Sequence, residues 1–248
     1  MSTFYNEIIN GDCFNELSKI KSKSISLILT DPPYQISRPS NFKRYSSSTN
    51  SDIVTKYGKV SIDFGEWDKE EINWNLLFKE YYRVLKDGGT ILFFFDIWKA
   101  GIIKDIAESH KFKQARIGQW HKNNPVPINS KINYLSNAIE FFFSFVKDKN
   151  PTFNSEYDNG VYKYPLCHGK ERLDHPTQKP LALISDLILK HSKPGDMVLD
   201  TFAGTGTIGH ACILNDRKYI LIERDEKYFE ILKKRIDGLS KNIESDNI

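Results

Sequence analysis

Apolar residues gather in seven short runs along the chain, separated by longer stretches in which they recur every third or fourth position. The short runs are Glu7-Ile8-Ile9, Ser26 to Leu29, Thr90 to Phe95, Arg116 to Trp120, Ile139 to Val146, Met197 to Leu199 and Tyr219 to Ile222. Runs of this length, bounded by turn residues, suit buried strands. Between them, Asn73 to Leu85 places Trp74, Leu77, Phe78, Tyr81 and Leu85 on one helical face, with Gly88-Gly89 as a stop. Leu181 to Leu189 repeats the pattern after Pro180. A last helix is expected from Lys227 to about Ile236, followed by a loose polar tail, Ser240 to Ile248. Strands alternating with helices predict an α/β fold: a doubly wound, mostly parallel, seven-stranded Rossmann-like sheet with helices on both faces.

The second strand ends in Asp31-Pro32-Pro33-Tyr34. Two prolines fix φ at about −65°, so the carbonyls of Asp31 and Pro32 hold their direction beside a carboxylate and an aromatic face. That set suits an amino group on a planar base, with Tyr34 stacking and Asp31 accepting a hydrogen. A strand that merely ends in a proline turn is the plainer alternative.

The segment Asp196 to Gly209 reads as strand, glycine loop and helix start, and a second strand follows it that ends in Glu223. Gly204, Gly206 and Gly209 form a dinucleotide-like pattern. Yet the strand ends in Asp200, and Thr201-Phe202-Ala203 precede the first glycine. A carboxylate there repels a pyrophosphate and suits an ammonium group, which favours S-adenosylmethionine over NAD.

With these residues the chain resembles the beta-class amino-methylating DNA methyltransferases, in which the catalytic motif precedes the cofactor loop. Asn10-Gly11-Asp12-Cys13 resembles the acidic turn near the cofactor adenine, and Gly65-Glu66-Trp67-Asp68 the step that closes the following loop. Arg83 to Gly89 and His175-Pro176-Thr177-Gln178-Lys179-Pro180 match further family segments. The resemblance implies Asp31, Pro32, Pro33 and Tyr34 as catalytic residues. It implies Asp200, Phe202, Ala203, Gly204, Thr205 and Gly206 around the methionine and sulfonium, and Glu223 on the ribose. Asp12 and Cys13 would meet the adenine, while His175, Thr177 and Lys179 close the methionine end. Asp12 could instead cap a helix starting at Cys13, and Thr177 the one after Pro180.

Composition adds bounds. A chain of 248 residues, 40% hydrophobic, can bury one core, and a single catalytic domain spanning 1–248 is the economical reading. The net charge of +3 is mild but uneven. Lys111, Lys113, Arg116, Lys122 and Lys131 run without an interrupting acid, and Arg38, Lys43, Arg44, Lys56 and Lys59 oppose only Asp52. Such stretches can line a phosphate backbone, or simply be a solvated surface. Arg38, Lys43, Arg44, Lys122 and Asn124 are the candidate contacts to double-stranded DNA. Three cysteines without a close pair suit neither a disulfide framework nor a zinc site, and no metal is expected. The start has no signal-like segment and no run approaches a membrane span, so a cytoplasmic protein without membrane contact is expected.

Two stretches break the alternation. Residues 35–64 are polar and too long for an ordinary connection, and are expected to form a mobile DNA-contacting loop. Residues 148–174 mix proline and glycine with Phe153, Tyr157, Tyr162 and Tyr164, and by family position form a short target-recognition segment.

The exocyclic amine of adenine is a weak nucleophile because its lone pair enters the ring. Acceptors on both N–H bonds, from the Asp31 carboxylate and the Pro32 carbonyl, turn the lone pair toward a sulfonium methyl. The reading is therefore site-specific DNA adenine-N6 methylation, since the motif starts with Asp rather than the Ser commoner in cytosine-N4 enzymes. A cytosine-N4 enzyme and a silent SAM- or DNA-binding module are the alternatives. A cognate restriction endonuclease and a homodimer stay open as partners.

Overall fold

The computed structural model describes residues 6–33, 72–126 and 135–246, with side chains as far as residue 239. Two compact units divide the chain, residues 1–32 with 73–248 and residues 33–72. The first unit consists of β1 (Glu7–Asn10), α1 (Cys13–Lys19), β2 (Ile25–Thr30), α2 (Trp74–Val84), β3 (Leu85–Phe95), α3 (Ala100–Ser109), β4 (Phe112–Lys122), β5 (Ile139–Lys147), β6 (Val161–Tyr164), α4 (Leu181–His191), β7 (Met197–Asp200), α5 (Thr207–Leu214), β8 (Lys218–Glu223) and α6 (Glu226–Asp246).

The strands form one sheet in the order β1-β8-β7-β2-β3-β5-β4-β6. Among the described residues only β5 runs against its neighbours, β3 and β4. Ile25, Leu27, Ile28 and Leu29 of β2 are wholly buried, as a strand covered on both faces requires. Helices α1, α2 and α3 pack side by side, as do α4, α5 and α6. Right-handed crossovers place the two sets on opposite faces of the sheet.

From β2 the chain moves outward to β3, and from β7 it moves the other way to β8. The carboxyl ends of β2 and β7 are adjacent, with Leu27 paired to Val198 and Ile28 to Leu199. This reversal opens a crevice at the strand ends, the place where open α/β sheets bind ligands.

Four details differ from the sequence reading. Among the described residues the sheet has eight strands rather than seven, because Val161–Tyr164 adds to β4 within the stretch expected to be an insertion. Strand β3 begins at Leu85, which pairs with Ile25, so α2 ends one residue earlier than its apolar spacing suggests. Strand β4 starts at Phe112, and its irregular pairing between Lys113 and Arg116 hides that start from a period-two pattern. Helix α6 continues to Asp246, since no proline interrupts the polar tail.

Candidate active site

The end of β2 is tied to the end of β7 by side chains. The Thr30 hydroxyl donates to Asp200 Oδ1 at 2.8 Å, and the Phe202 N–H donates to the same oxygen at 3.1 Å. Tyr81 of α2 reaches the cluster from one face, its hydroxyl 2.5 Å from that of Thr201. Asp200 is buried, and burial lifts its carboxyl to about 7 against the hydrogen bonds from Phe202 and Thr30, with the charges of Asp31 and Glu223 adding to the rise. Asp200 is thus first a pin that shapes the loop beyond it.

That loop turns through Gly204 (φ 51°) and Gly206 (φ 78°), a left-handed pair that only glycine adopts without strain. A Cβ on Gly206 would come within 3.0 Å of Leu232, and one on Gly204 within 3.4 Å of the His175 ring. Glu223 closes the loop from β8: its Oε2 accepts the Gly204 N–H at 2.7 Å and its Oε1 the Asp225 N–H at 2.8 Å. Burial raises its carboxyl to about 7 as well. Both oxygens retain lone pairs for a further donor.

Asp12 follows the end of β1, where Asn10 pairs with Glu223 of β8 and the Gly11 N–H donates to the Glu223 carbonyl at 3.0 Å. It caps α1, its Oδ1 accepting the N–H groups of Phe14 and Asn15 at 3.1 Å each. The capping alternative is therefore realised, and Cys13 is buried behind it. His175 sits over the glycine loop, its ring 4.6 Å from that of Tyr228. Burial, helped by the charge of Lys179, lowers the imidazole to about 4, so it is neutral at pH 7. Thr177 donates its N–H to His175 Nδ1 at 3.2 Å, and α4 is capped instead by Glu171, whose Oε1 accepts the Leu181 N–H at 2.6 Å.

Lys179, expected at the methionine end beside His175, is ion-paired through its ammonium with Asp31 Oδ2 and stands 3.0 Å from Glu140 Oε2, while its charge still acts on the His175 ring. Phe94 lies beneath it, 4.9 Å from the ring centroid. Burial acts to lower its pKa, but Asp31 and Glu140 outweigh that and hold it above the ordinary lysine value. Lys122, expected on a phosphate, turns inward to Glu140 Oε1 at 2.7 Å and is only 12% exposed. Asn124, also a candidate DNA contact, accepts the Leu166 N–H at 2.7 Å and so braces the chain after β6.

Glu140 escaped the sequence reading. The one available signal was an acid near the start of the apolar run Ile139 to Val146. Pro32 is buried next to Asp31, and Pro33 is half-buried. Tyr34, Arg38, Lys43 and Arg44, like the whole stretch 35–64, lie outside the described residues. The three cysteines are buried free thiols. Among the described residues no group of His, Cys, Asp or Glu is placed to hold a metal ion, and no helix is long and apolar enough to cross a membrane.

The donor set fits S-adenosylmethionine. Two buried carboxylates suit an ammonium and ribose hydroxyls, and the glycine turns leave room against the backbone, whereas a pyrophosphate would meet like charge.

Comparison with known proteins agrees with this geometry. The profile of a family described as DNA methylase matches residues 25–234. The chain is 34% identical over 263 aligned residues to the type II methyltransferase M.HinfI of Haemophilus influenzae, covering 98% of this chain and 71% of that protein. It is 31% identical to M2.MboI of Moraxella bovis, covering 96% and 90%. Among solved structures it resembles the M1.HpyAVI–SAM complex, with a TM-score of 0.67 at 28% identity over 92% of this chain and 98% of that one. It shares its fold with the cytosine-N4-specific PvuII DNA methyltransferase, with a TM-score of 0.72 at 18% identity over 98% of this chain and 93% of that one.

Proposed function

This chain belongs to the N6/N4 DNA methylase family, and we propose that within it the protein methylates the N6 amine of a flipped adenine at a specific duplex site. The observation that carries the proposal is the position of Asp31. It extends from β2 beside Asp200, where the strand order reverses, so the acid that receives the amine adjoins the cofactor crevice.

S-adenosylmethionine, the cofactor, supplies when bound a methyl group on a positively charged sulfur. Glu223 is proposed for the ribose hydroxyls, and Asp12 with the Cys13 backbone for the adenine. The loop Asp200, Phe202, Ala203, Gly204, Thr205 and Gly206, with His175 and Thr177 above it, is proposed to hold the methionine part. The Asp31 carboxylate and the Pro32 carbonyl each accept one N–H of the target amine, which pyramidalises the nitrogen and stabilises its growing positive charge. Lys179 offsets the charge of Asp31 and keeps it from turning away. After transfer Asp31 can take the released proton. Tyr34 is proposed to stack on the flipped base.

The names of the relatives, type II methyltransferases, support a restriction-modification setting. Arg38, Lys43 and Arg44 are proposed to face the phosphates. Methylation-sensitive sequencing of DNA from cells expressing the protein tests the assignment. N6-methyladenine confined to one short motif supports it, and N4-methylcytosine in such a motif moves the target base.

A further inference from the structure

Glu140 takes no direct part in methyl transfer, yet it lies at the middle of the charge cluster behind Asp31. Second in β5, it interrupts an apolar strand, and its two oxygens meet two ammonium groups: Lys122 at 2.7 Å and Lys179 at 3.0 Å. Burial works to raise its carboxyl, but Lys179 and Lys122 hold it below the ordinary glutamate range. Lys122 is itself fixed at the base of the β4–β5 connection, donating to the Asn137 carbonyl at 3.1 Å. The formal charges of Lys122, Glu140, Lys179 and Asp31 alternate in sign and cancel along the row.

Desolvating such a row is costly, and packed apolar side chains would generally stabilise a fold at least as well. The row therefore calls for a reason beyond stability. Lys179 is long and flexible, and with Asp31 as its sole carboxylate it could follow that side chain through several rotamers. A second carboxylate on a rigid central strand removes that freedom. We propose that Glu140 is a positioning residue for methyl transfer: by sharing the Lys179 ammonium it fixes that ammonium, and so fixes the Asp31 carboxylate in the orientation that receives the target amine. The proposal rests on the methyltransferase reading of Asp31 and extends it to a residue that touches neither cofactor nor base.

The test is single-turnover methyl transfer by wild type, Glu140→Gln and Glu140→Asp at saturating DNA and S-adenosylmethionine, with cofactor affinity measured by calorimetry and stability by thermal melting. Glu140→Gln should slow transfer by about 10–100-fold, the scale of a small misplacement at the reacting centre. Cofactor affinity should stay within about twofold, and Glu140→Asp should recover most of the rate. A Glu140→Gln rate equal to wild type overturns the proposal, as does a rate loss matched by lost cofactor affinity. If Glu140→Gln does not fold, the double change Glu140→Gln with Lys122→Met, which removes the carboxylate together with its other ammonium partner, replaces it: slower transfer with unchanged cofactor binding supports the proposal, and a wild-type rate overturns it. Wild-type protein that labels no base removes the methyltransferase reading and this role together, whereas active wild type with equally active variants removes this role alone.

Discussion

Lys179, in the segment before α4, closes an ion pair with Asp31 at the end of β2, across 148 positions of sequence. The pair joins the segment that precedes α4 and β7 to the acid proposed to receive the target amine. Asp31→Asn keeps the shape but loses the charge that stabilises the developing cation. Transfer should fall by about 10²–10³-fold, the usual range for one electrostatic group at a reacting centre. Cofactor affinity should change by no more than about threefold. Single-turnover rates beside calorimetry separate the two, and near wild-type transfer would remove Asp31 from the mechanism.

Lys179→Met leaves Asp31 and Glu140 facing each other in a poorly solvated site. Breaking a buried pair costs about 3–5 kcal/mol, and the lower end applies because Lys122 still neutralises Glu140. For a chain of this size, about 3 kcal/mol lowers the melting temperature by about 6–12 °C. Scanning calorimetry of the variant checks this, and an unchanged melt would show that the cluster contributes no stability.

Burial lifts both Asp200 and Glu223 to about 7. In the unfolded chain they ionise near pH 4, so the native state holds protons that the unfolded state has released. Through these groups the stability of the ligand-free protein falls as pH rises from about 4 to about 7. An ammonium-bearing ligand prefers the ionised acids, so cofactor affinity should run the other way, rising from pH 6 to pH 8 and then levelling. The limit is about tenfold per pH unit for each linked acid. Calorimetric titrations at pH 6, 7 and 8 measure the trend, and affinity that declines over this range would place the ammonium away from both acids.

Much of this site is legible in the residues themselves. Asp31, Pro32, Asp200, Gly204, Gly206 and Glu223 follow strands whose short apolar runs announce their ends, and the structure gathers them at one crevice. The charge cluster was not legible. Lys179 reads as part of a cofactor segment and Lys122 as part of a basic stretch, because spacing reveals neighbours along the chain and not partners across a sheet. Glu140 is hidden for the same reason: β5 pairs with β3 and β4 in antiparallel fashion, and only that register brings residue 140 toward Lys122 and Lys179. Strand β6 was missed because four residues, Val161 to Tyr164, give too short an alternation between turn-rich flanks.

The inward turn of Lys122 changes what it should do for DNA. Binding should weaken steeply with salt, the slope recording how many phosphates are neutralised. Lys122→Ala should leave that slope unaltered, because Glu140 already neutralises this ammonium. A slope lowered by about one would show that Lys122 leaves Glu140 for a phosphate in the complex.

Asp31 is proposed to direct a methyl group onto the N6 amine of adenine. Incubating duplex DNA with the protein and methyl-labelled S-adenosylmethionine, hydrolysing the DNA and separating the nucleosides tests it most directly, with Asp31→Asn in parallel. Label in N6-methyladenine alone, lost in the variant, is the expected result. Label in N4-methylcytosine would overturn adenine as the target, and label that persists in Asp31→Asn would remove Asp31 from the reaction.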